Sequence, residues 1–192
     1  MIQNSVKELR SGFELIKTAH NEPDTGGERR GLKGEVCEKF IEISATPLLK
    51  ELGYFIKRHT KIRWYESLSN KKEGTKELDI AIYDSSDNLL WGIEVKDYGD
   101  STQFAASLTS DLLVRGIHPQ CKFVFISIHA GSSQDLRDAM INKIGLKGIT
   151  HALNVLPIKR DSKKSTYLDQ FSDDQLSDHI KNCVEELSKI IK

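Results

Sequence analysis

The run Glu77-Leu78-Asp79-Ile80-Ala81-Ile82-Tyr83, then Asp84-Ser85-Ser86-Asp87-Asn88, then Leu89-Leu90-Trp91-Gly92-Ile93-Glu94-Val95-Lys96 decides the fold. Two segments rich in β-branched and apolar residues flank a cluster of Asp, Ser and Asn, a pattern that predicts a β-hairpin. Glu94 and Lys96 lie two apart on one strand and share a face, and Asp79 on the partner strand comes within reach of Glu94. Such a trio is often a solvated ion pair. Here, however, Glu94 and Lys96 interrupt an apolar strand, where polar groups require partners, so a chemical role is favoured.

Two carboxylates beside an ammonium suit a hard cation such as Mg²⁺, which takes a few carboxylate oxygens and keeps several waters. Water of lowered pKa at such an ion can attack a phosphodiester. Lys96 is placed to orient or deprotonate that water, or to stabilise the charged transition state.

Outward from the hairpin, Asn4-Ser5 caps a first helix over residues 5–19 with Val6, Leu9, Phe13 and Ile16 on one face. Residues 20–30 hold Pro23, Asp24, Gly26 and Gly27 and read as a loop. A second helix, beginning near residues 30–34, places Leu32, Val36, Phe40 and Ile43 inward; Thr46-Pro47 then fits an N-cap and first position, so 48–52 reads as a separate short helix. Residues 54–64 form a strand with a basic side, Lys57, Arg58, Lys61 and Arg63, and 67–75 a polar loop. Helix 103–115, strand 122–128, a helix with Leu136, Met140 and Ile144, strand 151–158, a polar segment 159–169 and helix 173–191 complete the chain. The order implies an α/β sandwich on a mixed sheet.

The motif and its setting resemble the PD-(D/E)XK nuclease superfamily, which includes type II restriction endonucleases and Holliday-junction resolvases. Glu-Leu-Asp79 and, after fourteen residues, Glu94-Val95-Lys96 carry the resemblance, with Leu78 where the family name has proline. The resemblance spans roughly residues 30–158 and implies an αβββαβ core with a central mixed β-sheet flanked by helices. The terminal helices are then additions to a single domain over 1–192. It further implies Asp79, Glu94 and the Val95 carbonyl as metal ligands and Lys96 as the catalytic lysine. A glutamate of the first core helix joins the metal site in many members; Glu35 is the match and Glu38, one turn on, the fallback. Gln103, opening the next helix, lies where several branches set a glutamine near the scissile phosphate.

The implied activity is a Mg²⁺-dependent DNA endonuclease, with Mn²⁺ able to substitute. A type II restriction-like homodimer is favoured, because two sites about a two-fold axis cut both strands. A junction resolvase or another repair nuclease is the alternative, although additions at both ends exceed the usual compact resolvase. A non-catalytic DNA-binding subunit of the same fold is the other reading, and the intact Asp79, Glu94 and Lys96 argue against it.

Charge supports a polyanion partner. The chain is neutral, with 28 basic and 28 acidic residues, yet residues 29–72 carry eleven Lys/Arg to five Asp/Glu, 73–111 two to nine, and 112–164 nine to three. An acidic centre between basic blocks suits a cation site within a DNA cleft. Lys57, Arg58, Lys61 and Arg63 are candidate phosphate contacts, helped by Lys159, Arg160, Lys163 and Lys164. A charged outer face of an edge strand is the alternative account.

Other classes fall away. No apolar run reaches the ~18 residues of a membrane span, and the first residues lack a secretory pattern. Cys37, Cys121 and Cys183 are odd in number and far apart, which suits a reducing cytoplasm. The six histidines have no zinc-type spacing. Gly26-Gly27 is followed by no GKS or GKT, which argues against a nucleotide-phosphate loop.

Overall fold

A computed structural model describes residues 2–20, 26–66, 73–130, 133–159 and 167–192. The elements are α1 (Ile2–His20), α2 (Gly26–Glu51), β1 (Phe55–Glu66), β2 (Glu73–Tyr83), β3 (Leu89–Gly99), α3 (Ser101–Ile117), β4 (Lys122–Ala130), α4 (Gln134–Lys143), β5 (Thr150–Lys159), a 3₁₀ turn (Tyr167–Gln170) and α5 (Asp173–Ile191).

The strands form one sheet in the order β1-β2-β3-β4-β5. β1, β2 and β3 pair antiparallel, while β3–β4 and β4–β5 are parallel. The parallel steps follow from the helical crossovers α3 and α4, since parallel neighbours need a long connection. The expected hairpin is present: Asp84 Oδ1 accepts the backbone N–H groups of Ser86 and Asn88, each at 2.9 Å, and fixes the turn between β2 and β3.

Helices cover both faces. Phe40 and Leu49 of α2, Leu9 of α1 and Leu176, Ile180 and Leu187 of α5 close over Ile80, Ile82, Ile93, Val95, Val124 and Ile126. On the other face Val114 of α3 packs with Leu78 and Phe123, and Phe104 and Ile141 pack with Phe125. Residues 123–126 are all buried, as the unbroken apolar run predicts for an interior strand. α5 matches its predicted stripe and is closed by a capping box between Ser172 and Gln175.

Several expectations are corrected. Thr46-Pro47 does not start a new helix, because α2 runs unbroken to Glu51. Ala45 and Leu49 on either side of Pro47 are both buried, and the Thr46 hydroxyl donates to the Glu42 carbonyl at 2.6 Å, so burial outweighs the proline's missing N–H. The same helix already includes 26–30, which read as loop, and it buries Cys37 and Ile41 rather than Ile43. In α4, Leu136 and Ile144 are 45% exposed, and Arg137 and Ile141 face inward instead. β2 begins at Glu73, inside the segment that read as loop; residues 67–72 lie outside the described residues. The basic residues Arg160, Lys163 and Lys164 also lie outside them, and Lys159 ends β5.

Candidate active site

The site is a fork in the sheet. β2 and β3 pair from Tyr83↔Leu89 to Ile80↔Ile93, and there the ladder ends. β3 continues along β4, with Glu94↔Phe125 and Lys96↔Ser127, while β2 stays with β1 through Thr60↔Leu78. Strands that part leave backbone groups unpaired, and those need new partners. The Val95 N–H finds one in Asp79 Oδ2 at 2.7 Å.

That contact holds Asp79 over the start of the candidate motif. Lys96 Nζ donates to Asp79 Oδ2 at 3.1 Å and to Glu94 Oε2 at 3.0 Å. Asp79, Glu94 and Lys96 therefore meet as the sequence predicts. Burial works against the Lys96 charge, but Glu94 and Asp79 outweigh it and hold the ammonium above the usual lysine range. Leu78, in the place of the family's proline, is fully buried against the α3 face and touches none of this chemistry.

Glu94 is 3% exposed. Its Oε1 lies 2.5 Å from Lys76 Nζ, at an angle that makes no hydrogen bond. Lys76 carries no signal in the sequence, where it stands at the end of a polar stretch; only the extra length of β2 gives it its place. Lys76 and Leu78 share a face of β2, as Glu94 and Lys96 do on β3.

α2 supplies further acids from the other side. Glu35 is half-exposed and held by Arg58 at 2.7 Å, a hydrogen bond that keeps its carboxyl below the ordinary range. Glu38 has a side chain only 11% exposed, 3.5 Å from Arg58 and 3.6 Å from His59. Burial raises the Glu38 pKa, and the charge of Asp79 raises it further. The Asp79 charge thus acts on Glu38, whereas Glu35 is engaged by Arg58. The sequence could suggest this, because Val36, Cys37 and Phe40 carry Glu38 inward with them.

β1 bends at the same level. His59 adopts a left-handed φ of 50° between the pairs Arg58↔Ile80 and Thr60↔Leu78, opposite Asp79. Such a backbone costs about 1 kcal/mol or more in a non-glycine residue. It turns the imidazole to Glu77 at 3.0 Å and towards Glu35 at 3.4 Å. Glu35, Glu38 and His59 each offer a ligand atom within 4.8 Å of the others.

The donors fit a divalent cation with oxygen ligands. Asp79 and Glu94 converge on Lys96, and the Asp79 charge raises the Glu38 pKa, a like-charge repulsion that a nearby cation would offset.

The remaining predicted residues are more dispersed. Gln103 sits in the first turn of α3, its N–H on Asp100 Oδ1 at 2.8 Å, and its buried Oε1 makes no hydrogen bond among the described residues. Lys57 pairs with Asp87 at 2.7 Å and lies over the Tyr83 ring. Arg58 serves Glu35, Glu38 and Glu42 rather than solvent. Lys61 and Arg63 are exposed along β1. Asp97, next to Lys96 on β3, has a side chain 12% exposed and lies 3.8 Å from Lys33 and 3.7 Å from His129. No helix among the described residues is long and apolar enough to cross a membrane.

No protein-family model and no curated protein matches this chain. Among solved structures, the type IIF restriction endonuclease Bse634I with cognate DNA superposes with a TM-score of 0.51 at 12% identity, over 100% of this chain and 86% of that one. NucC of P. aeruginosa ATCC27853 in its cAAA-bound form gives 0.46 at 13% identity, over 74% and 70%. The match to Bse634I along the whole chain agrees with the mixed sheet flanked by helices, and the protein has a restriction-endonuclease-like fold.

Proposed function

We propose that the protein is a divalent-cation-dependent DNA endonuclease that hydrolyses phosphodiester bonds, type II restriction-like and acting as a homodimer. The observation that carries this reading is the convergence of Asp79, Glu94 and Lys96 at the fork, joined by hydrogen bonds of 3.0 and 3.1 Å. DNA as the substrate is consistent with the DNA-bound state of the restriction endonuclease that shares the fold. Asp79, Glu94 and the Val95 carbonyl would hold Mg²⁺, with Glu38 rather than Glu35 as the acid from α2.

Bound there, the cation supplies an activated water and neutralises charge on the phosphate. The chain's own part is positioning. Asp79 is locked by the Val95 N–H, so its carboxylate needs no reorganisation during the reaction. Lys96, kept charged by its two acids, serves as a donor to a non-bridging oxygen or to the attacking water rather than as a base. Lys61 and Arg63 extend the basic surface along β1 for the phosphate backbone.

The test is incubation with plasmid, linear duplex and four-way-junction DNA in Mg²⁺, Mn²⁺, Ca²⁺ and EDTA. Cutting in Mg²⁺ and Mn²⁺, with none in EDTA or in Ca²⁺ alone, is expected. Undiminished cutting in EDTA removes the mechanism, and cutting confined to junctions selects the resolvase reading.

A further inference from the structure

Lys76 has no part in the hydrolytic scheme, yet it contacts the most buried acid of the site. Its Nζ lies 2.5 Å from Glu94 Oε1, while Lys96 Nζ lies 3.0 Å from Oε2. Both oxygens of one carboxylate are thus covered by ammonium groups. A cation ligated by Glu94 must approach an oxygen to about 2.1 Å. A second positive charge on that same oxygen would be repelled at close range. One lysine has to yield.

The two are held unequally. Lys96 is bound by Asp79 as well as Glu94, so both acids oppose its departure. Lys76 reaches Glu94 at the end of a flexible stem from β2 and is paired there with that one acid, at 2.5 Å. Its neighbour Leu78 is fully buried, so the strand cannot follow and only the side chain moves. An ammonium released there remains at the rim of the fork, three residues from Asp79, where an extended polyanion passes if it is to reach the acids.

We infer that a divalent cation displaces Lys76 from Glu94, and that the freed ammonium takes a backbone phosphate of bound DNA. The exchange replaces one charge-assisted contact with another. It makes cation and DNA strengthen each other's binding, and the coupling is reciprocal by thermodynamic necessity. The inference rests on the nuclease reading only in naming DNA as the polyanion.

The test titrates Mn²⁺ into the protein alone by calorimetry, for wild type, Lys76→Gln and Lys76→Arg. Duplex binding is then followed by fluorescence anisotropy with and without Ca²⁺. Lys76→Gln should bind Mn²⁺ about fivefold more tightly, the equivalent of removing one competing, partly exposed ion pair. It should also lose most of the Ca²⁺-induced gain in duplex affinity, whereas Lys76→Arg should keep both properties near wild type. Unchanged or weaker Mn²⁺ binding in Lys76→Gln overturns the displacement, as does equal tightening in both variants. A full Ca²⁺-induced gain in Lys76→Gln overturns the transfer to phosphate. The Mn²⁺ titration involves neither DNA nor cleavage, so a chain that binds the cation as expected but cuts nothing refutes the nuclease reading alone.

Discussion

Asp79 Oδ2 accepts the Val95 backbone N–H at 2.7 Å at the point where β2 and β3 separate. One carboxylate thus closes an open end of the sheet and, on the proposed mechanism, also holds the cation. Two substitutions separate them. Asp79→Asn keeps an oxygen for the N–H but loses the charge; Asp79→Ala loses both. Each should lower cleavage by about a hundredfold or more, the scale of a lost charge-stabilising group. Asp79→Ala should also lose about 1 kcal/mol of unfolding free energy in urea relative to Asp79→Asn, for the unmade hydrogen bond. Near wild-type cleavage by Asp79→Asn would remove Asp79 from the chemistry.

Glu35 and Glu38 are one turn apart and differ in surroundings. Glu38→Gln should raise the Mg²⁺ needed for half-maximal cleavage by about tenfold to a hundredfold, the range for groups that support a metal site. Glu35→Gln should move that curve less than about threefold, since its carboxylate is half-exposed and engaged by Arg58. The folded Glu38 carboxyl titrates above its ordinary value of 4.5. Its charge therefore opposes folding above that pH, and the penalty fades as pH falls through the folded value. Without added cation, Glu38→Gln should accordingly be no less stable than wild type at pH 7. A clear loss of stability would show that Arg58 and His59 outweigh the burial and the Asp79 charge.

The hairpin, its two carboxylates and its lysine were legible because a period of two and a polar interruption are local signals. β4 was legible because an unbroken apolar run has few other placements. The role of Lys76 was not, since it depends on β2 extending upstream to Glu73, which pairing with β1 decides and composition does not. The choice between Glu35 and Glu38 depends on which side of α2 meets the fork, a difference of about 60° around the helix for residues three apart, which the stripe of Leu32, Val36 and Phe40 brackets without settling. The inward turn of Arg137 is likewise tertiary: Asn154 of β5 accepts its guanidinium at 2.7 Å, and a buried arginine follows a partner rather than hydropathy.

Pro47 shows the local rule overridden. A proline inside a helix removes one backbone bond and crowds the carbonyl four residues back. Ala45 and Leu49 keep α2 continuous by burying themselves on either side. The strain should be recoverable: Pro47→Ala should raise unfolding free energy by about 1–3 kcal/mol in urea denaturation. A destabilised Pro47→Ala would mean that the proline is needed for the course of α2 over the sheet.

His59 provides a pH test of the same corner. Burial lowers its pKa, but the hydrogen bond to Glu77 and the charge of Glu38, with help from Glu35, outweigh it and the repulsion of Arg58, so the folded value stands above 6.5. The sign follows from linkage. The protonated ring is favoured by folding, so its contribution is complete below the unfolded pKa of about 6.5 and vanishes as pH rises through the folded one. Asparagine tolerates the left-handed φ of 50° at this position, so His59→Asn removes the titration with little backbone penalty. The stability of wild type relative to His59→Asn, from urea unfolding without divalent cations, should be greatest near pH 5.5–6 and decline to a constant level above about pH 8. Nuclear magnetic resonance should place the His59 midpoint above 6.5 in wild type and lower in Glu77→Gln. A stability difference independent of pH, or a midpoint unmoved in Glu77→Gln, would show that the ring is held by its backbone rather than by the acids around it.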